Sequence, residues 1–149
     1  MNTQSRNLRR SFLASIAAAS LFLSGCATVS STLGIGGGAV KLSGDQEVPA
    51  VMTSGSGSGT IKMGMDGSVS GSVTTTAVPG LAAHIHMGAA GKNGPVIVPL
   101  SKSGEGTWMV SAGAKLNDAQ MSAYKAGDLY VNVHTAANKG GEVRGQIKP

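Results

Sequence analysis

The residues best suited to chemistry are the chain's three histidines, His84, His86 and His134. His84 and His86 flank Ile85, and alternate side chains of a β-strand share a face, with Cα atoms about 6.5–7 Å apart. Both imidazoles can therefore reach one metal ion. His134 ends another alternating run, in which it shares a face with Asn132. If the two strands are neighbours, three imidazoles converge.

Three neutral imidazoles without a nearby thiolate favour copper or zinc over iron–sulfur chemistry. Affinity for nitrogen ligands peaks at copper along the first transition series. We therefore predict a copper site formed by His84, His86 and His134, with zinc as the alternative ion. Histidines at strand ends are also common as solvated polar residues, so a domain without metal stays open.

Two further polar residues are candidates for supporting this site from outside the ligand set. Asn132 lies on the histidine face of its strand. Arg144 alternates with Glu142 and Gln146 in a run near the C-terminus. It could steer an anion to a nearby cation, or pair structurally with Glu142 or a loop carboxylate.

No residue is predicted to be catalytic. The serines lie in flexible tracts, and Asp45 and Glu47 adjoin a predicted turn, where capping and solubility explain them. Paired carboxylates of the kind used in hydrolysis are not evident. An enzyme is therefore less favoured than a binding module.

The elements that must position these residues are short strands. The 149 residues include 23 glycines and are only 3% aromatic, which is typical of one turn-rich domain. Apolar residues alternate in eight runs, with the spacing of a sandwich or barrel. These runs cover residues 40–42, 60–65, 69–76, 82–87, 96–100, 107–110, 129–134 and 142–147.

Two segments depart from this alternation. Asn117 is a candidate N-cap and Gly127 a candidate C-cap of a short helix that crosses between strands. The alternating Ser and Gly of residues 54–59 predict a flexible or bulged connection within the domain.

The N-terminus predicts export. Residues 1–25 combine arginines with a short apolar stretch, as a secretory signal peptide does. They end before Cys26 in a run that resembles the lipobox of bacterial lipoproteins, where the cysteine thiol is acylated. Residues 26–38 then form a lipidated flexible tether, and residues 39–149 the folded domain. Ala27 stands where an aspartate commonly marks inner-membrane retention in lipoproteins, which implies the periplasmic face of the outer membrane.

The charge of the exported part argues against nucleic acid as a partner. The chain has 12 Lys+Arg and 7 Asp+Glu, and without Arg6, Arg9 and Arg10 of the signal segment the balance is 9 − 7 = +2. There is no basic stripe, and few aromatics could stack on bases. The expected partners are a membrane, through the anchor at Cys26, and an envelope protein.

Five ordered motifs resemble the CHRD domain, which was first described in the animal protein chordin. The resemblance covers the chain from Val40 to Ile147 and identifies the domain better than its activity. The motifs are LSGDQEVPAV from Leu42, AHIHMG from Ala83, GKNGPV from Gly91, GDLYVNVHT from Gly127 and GEVRGQI from Gly141.

A more remote similarity is to the copper-zinc superoxide dismutases. These are Greek-key β-sandwiches in which a His-x-His strand and a later strand-end histidine hold copper, and a C-terminal arginine attracts superoxide. His84, His86, His134 and Arg144 fall in the same order, but there is no histidine-rich zinc loop, bridging histidine or disulfide. With this similarity, we predict an all-β fold, a Greek-key antiparallel β-sandwich of about eight strands with one short crossover helix.

Three functions follow as hypotheses. The favoured one is a lipid-anchored periplasmic module that binds copper. The alternative is a metal-free structural or protein-interaction domain of the cell envelope. The third is an oxidoreductase similar to the superoxide dismutases.

Overall fold

The computed structural model describes residues 34–149, which form eight antiparallel strands and one α-helix. Cys26, the predicted signal peptide and most of the predicted tether lie outside these residues. The elements are β1 Gly34–Ser43, β2 Ser56–Gly64, β3 Val69–Thr76, β4 Ala82–Met87, β5 Val96–Gly104, β6 Thr107–Val110, α1 Asp118–Ala126, β7 Leu129–His134 and β8 Val143–Ile147. A 3₁₀ turn, Gly44–Gln46, follows β1.

The strands close into a barrel in the order β1-β2-β3-β6-β5-β4-β7-β8, with β8 returning to β1. The consecutive strands β4, β5 and β6 lie side by side, and β7 returns to lie beside β4, which is a Greek-key connection. This return places the strand of His134 directly beside the strand of His84 and His86.

The prediction of a β-sandwich is wrong, because the sheet has no open edges. Ser43 of β1 pairs with Arg144 of β8, and Val73 of β3 pairs with Trp108 of β6, so hydrogen bonding continues around the barrel. Gly145 permits close approach at the β1–β8 closure, where a Cβ atom would collide with the carbonyl of Lys41. Alternation shows which residues face inward, but a sandwich and a barrel share that pattern.

The barrel interior is filled by the apolar side chains that alternate along the strands. Its aromatic members are Trp108 and Tyr124, whereas Tyr130 is buried among polar residues on the outer face of β7. The interior strand residues include Val40, Leu42, Ile61, Met63, Val73, Ala83, Ile85, Val98, Leu100, Val131, Val133, Val143 and Ile147.

The helix α1 connects β6 to β7 and begins and ends at the predicted caps. The Asn117 side chain accepts a hydrogen bond from the backbone of Gln120, and the Gln120 side chain accepts one from the backbone of Asn117. Gly127 ends the helix in the left-handed conformation, with φ of 79°. Within residues 34–149, no helix has the length and apolar character needed to cross a membrane.

The serine–glycine tract is not the connection that its composition predicts. From Ser56 onward it belongs to β2, which pairs with β1 and β3 along its length. The glycine at position 59 is required by packing, since a Cβ there would collide with the carbonyl of Ser72. The tract is therefore regular strand in which small residues let the neighbouring backbones approach.

Candidate metal centre

The three histidines lie on the outer face of the barrel, where β4 and β7 pair. In this register His84 is opposite Asn132, His86 is opposite Tyr130, and Ala82 is opposite His134. The intervening residues point into the core, so the alternation that buries Ile85 turns both histidines of β4 outward.

The side chains of His84, His86 and His134, called here the histidine cluster, converge as predicted. One potential ligand atom from each lies within 4.8 Å of the other two. The closest pair is Nδ1 of His84 and Nε2 of His134, which are 3.0 Å apart. His86 is buried and the other two rings are half-buried, so the cluster lies at the surface with one ring beneath it.

Backbone carbonyls determine which nitrogen two of the rings present. Nδ1 of His86 donates to the carbonyl of Gly94 at 2.9 Å, and Nδ1 of His134 donates to the carbonyl of Lys139 at 2.9 Å. A carbonyl only accepts, so both Nδ1 atoms carry the proton and both Nε2 atoms carry a lone pair. The lone pair of His134 accepts from Nδ1 of His84, whereas that of His86 has no partner. This second hydrogen bond is the usual way in which a metal-binding histidine is oriented.

Nε2 of His86 is buried and has no hydrogen-bond partner. A buried polar atom without a partner is unusual and costs free energy. An ion within reach of His86, His84 and His134 would provide that partner. The three histidines are therefore a donor set that could hold a metal ion.

Burial lowers the pKa of two rings of the cluster, His84 and His86. Burial is the main factor that lowers the pKa of His84, and the neighbouring His134 and His86 lower it further. Burial also lowers the pKa of His86 more than the hydrogen bond to Gly94 raises it. Both rings are therefore neutral at pH 7, with a lone pair available for a cation.

Arg144 lies beside the cluster but does not point into open solvent. It is only 1% exposed, and its guanidinium carbon lies 3.4 Å from the centre of the Tyr130 ring. Tyr130 in turn stacks on His86, with ring centres 4.8 Å apart. No carboxylate within residues 34–149 forms an ion pair with Arg144, so the pairing with Glu142 considered from the sequence is not present.

Asn132 is 2% exposed and lies between the cluster and a carboxyl group that the sequence did not assign to the site. Its amide nitrogen donates to the carbonyl of Gly140 at 3.1 Å. Asn132 influences the pKa of both neighbours, raising that of His86 and lowering that of Glu47.

Glu47 is the residue that sequence reasoning missed. It is 6% exposed, and its Oε1 atom has no hydrogen-bond partner. Burial raises its pKa from 4.5 to about 7, against the opposing influences of Arg144 and Asn132. The available signal was its place in the first of the five motifs; its position beside a turn suggested only a solvated carboxylate.

The fold and site together define a Greek-key β-barrel with three histidines on its outer face. The family profile of the CHRD domain matches residues 39–147, and the chain belongs to this family. No curated protein matches the chain, and no solved structure does.

Proposed function

We propose that this protein is a lipid-anchored periplasmic module that binds one copper ion through the histidine cluster. The observation that carries the proposal is the buried, unpartnered Nε2 of His86, in a cluster where one ligand atom of each histidine lies within 4.8 Å of the others. Zinc is the alternative ion, and the affinity order of nitrogen ligands favours copper(II).

The three histidines would not all present the same ring nitrogen to the ion. His86 and His134 are fixed by their carbonyl partners and each present Nε2. His84 presents Nδ1, which in the metal-free protein donates to Nε2 of His134. For Nδ1 of His84 to become a ligand, the proton must leave that atom, and the neutral ring can carry it on Nε2 instead. Binding therefore requires a change of tautomer at His84 and no net release of a proton.

Copper titration of the full-length protein, purified in detergent without chelator or affinity tag, tests this proposal. We expect one copper ion per chain, bound more tightly than zinc. The triple variant His84→Ala, His86→Ala, His134→Ala contains no histidine, so it should lose this binding. Lys125→Ala on the last turn of α1 is the matched surface control. Equal copper affinity in the triple variant and the wild type would overturn the proposed site.

The anchor and location are proposed from the N-terminal sequence. Cys26 would be acylated, and Ala27 favours sorting to the outer membrane. Acyl chains contribute about 0.8 kcal/mol per buried methylene, so several chains would hold the domain at the membrane. Wild-type protein should incorporate labelled fatty acid and fractionate with the outer membrane, and Cys26→Ser should not become labelled. Equal labelling of the two proteins would exclude Cys26 as the acylation site.

A further inference from the structure

The loop of residues 88–95, called here the β4–β5 loop, lies against the histidine cluster and has little packing of its own. Its side chains are small or polar, and Ala89, Ala90 and Lys92 are exposed. Burial of apolar surface therefore contributes little to its position. Hydrogen bonds hold it in place, some of them through the backbone and most of them to side chains of neighbouring strands.

Arg144 supplies three of these hydrogen bonds, more than any other side chain. Its guanidinium donates to the carbonyls of Ala89 at 3.1 Å and Lys92 at 2.9 Å, and to Oδ1 of Asn93 at 3.4 Å. Charged donors form stronger hydrogen bonds than neutral ones, and the planar guanidinium can serve several acceptors at fixed angles. Gln146, the next outward residue of β8, adds a bond to the carbonyl of Gly88 at 2.9 Å.

The same loop carries the carbonyl that orients His86. Gly94 accepts from Nδ1 of His86 at 2.9 Å, and its backbone nitrogen donates to the hydroxyl of Tyr130 at 3.2 Å. Gly94 also approaches the chain closely, since a Cβ atom there would collide with the carbonyl of Met87. The position of Gly94 therefore depends on how the whole loop is held.

Besides the β4–β5 loop, the ring of Tyr130 is a second link between Arg144 and His86. Its strand, β7, lies between β4 and β8, so its ring is stacked on His86 from one side and covered by Arg144 from the other. A cation over an aromatic face is attracted to it, most strongly where water is excluded. Arg144 thus restrains both the ring against which His86 packs and the loop to which it is bonded.

We infer that Arg144 is a positioning residue that holds the β4–β5 loop over His86 and thereby fixes Nε2 of His86 as the nitrogen facing His84 and His134. Its guanidinium donates to the loop carbonyls and lies over the Tyr130 ring. It is not displayed to an anion in solvent. The consequence for copper affinity rests on the proposed function, whereas the effect on the His86 ring does not.

The test is the tautomeric state of His86 in the metal-free, full-length protein, measured by nitrogen NMR of the histidine rings at pH 8. In the wild type, Nδ1 of His86 should be protonated and its hydrogen should exchange slowly with solvent. In Arg144→Met, the ring should show a mixture of both tautomers and the hydrogen should exchange at least about tenfold faster. Arg144→Lys should restore part of the wild-type signal, because an ammonium can serve one carbonyl but cannot form the planar fork.

Two further variants separate positioning from general stability. Val143→Ala removes a fully buried side chain from the interior face of the same strand, so it should lower stability and leave the His86 tautomer unchanged. Asn93→Ala removes one acceptor of Arg144 and the bond that its Nδ2 donates to the carbonyl of Val48 at 2.7 Å, so it loosens the loop and should shift the tautomer in the same direction as Arg144→Met, to a smaller extent. The Asn93→Ala variant also tests the inference if Arg144→Met does not fold.

The inference is overturned if the folded Arg144→Met protein keeps the wild-type tautomer and exchange rate. If that variant does not fold, unchanged tautomer and exchange in both Asn93→Ala and Arg144→Lys overturn it. The inference is also contradicted if the tautomer shift in Val143→Ala is as large as that in Arg144→Met. Copper titration of the same variants should show about a 10–100-fold loss of affinity for Arg144→Met. A tautomer shift in a protein whose wild type binds no copper would support the positioning role and reject the proposed function.

Discussion

Nδ1 of His84 and Nε2 of His134 lie 3.0 Å apart, although 50 positions separate the two residues in the chain. Because His134 uses its Nδ1 proton on the carbonyl of Lys139, its Nε2 accepts the bond and His84 donates it. The two rings therefore share one proton at the place where a cation would bind. Proton and metal should compete for this position.

Removal of one ring should expose this relationship. In His134→Ala we expect copper affinity to fall by about 100-fold or more, because one of three ligands is lost. Competition with a chelator of known affinity measures the change. Lys139→Ala is the matched control, since it keeps the backbone carbonyl that orients His134 and should bind copper as the wild type does. An equal loss in both variants would contradict this assignment.

Glu47→Gln should change how stability depends on pH. The folded-state pKa of Glu47 is raised to about 7 from 4.5, so between these values the folded protein keeps a proton that the unfolded chain has lost. The stability that Glu47 contributes is therefore fully present below pH 4.5 and is lost as pH rises through about 7. Its slope is at most about 1.4 kcal/mol per pH unit. Glutamine does not titrate, so the variant lacks this loss and should be the more stable protein at pH 8.

Urea denaturation of both proteins from pH 4 to pH 8 measures the difference. The lowered pKa values of His84 and His86 act in the opposite sense, because their contribution is lost as pH falls below 6.5. Both proteins contain these histidines, so this effect should largely cancel in the comparison. A stability difference that is constant across the whole range would show that Glu47 does not titrate as described.

Local alternation was sufficient to predict the strands that carry the site. The predicted bounds of β3, β4, β6 and β7 agree with the structure, because each run has a period of two and is bounded by turn residues. The convergence of the histidines is confirmed for the same reason. His84 and His86 share a face by alternation, and His134 joins them once β4 pairs with β7.

The closure of the barrel could not be predicted in this way. The pairing of Ser43 with Arg144 joins two strands from opposite ends of the domain, and no local pattern encodes it. Gly59 shows a related difficulty. The composition of the serine–glycine tract indicated a loop, whereas close packing against Ser72 requires a glycine at this position of a strand. Both outcomes depend on contacts that exist only after the sheet has formed.

The burial of the residues around the histidine cluster could not be predicted from the sequence for a different reason. Arg144 is buried beneath the β4–β5 loop, and Glu47 is buried in the connection between β1 and β2; such connections have no periodicity. Alternation places Arg144 on an outward face, where a charged residue is ordinarily solvated. Its burial follows from the β4–β5 loop, which supplies carbonyl acceptors in place of water.

The glycines at positions 140 and 141 provide a matched pair for testing the loop that carries the Lys139 carbonyl. Gly141 has φ of +136°, and a Cβ there would collide with Oε1 of Glu47 and lie 2.6 Å from Nδ2 of Asn132. Gly141→Ala should therefore lower the free energy of unfolding by about 2 kcal/mol or more. A Cβ at Gly140 meets no atom within 4 Å, so Gly140→Ala should change it by less than about 0.5 kcal/mol. Similar losses in thermal or urea denaturation of both variants would contradict the crowding at Gly141.

Ile85 tests whether the core of the barrel and the histidine cluster can be perturbed separately. Its side chain is fully buried and points into the interior between two outward histidines. Ile85→Ala should lower the free energy of unfolding by about 2–5 kcal/mol, because it leaves a cavity in the core. Leu81→Ala is the control, since that side chain is 69% exposed and should change stability little.

The backbone of β4 still places His84 and His86 on one face, so the folded Ile85→Ala protein should bind copper within about threefold of the wild type. A loss of affinity as large as that of His134→Ala would mean that core packing, and not strand alternation alone, holds the ligands in position.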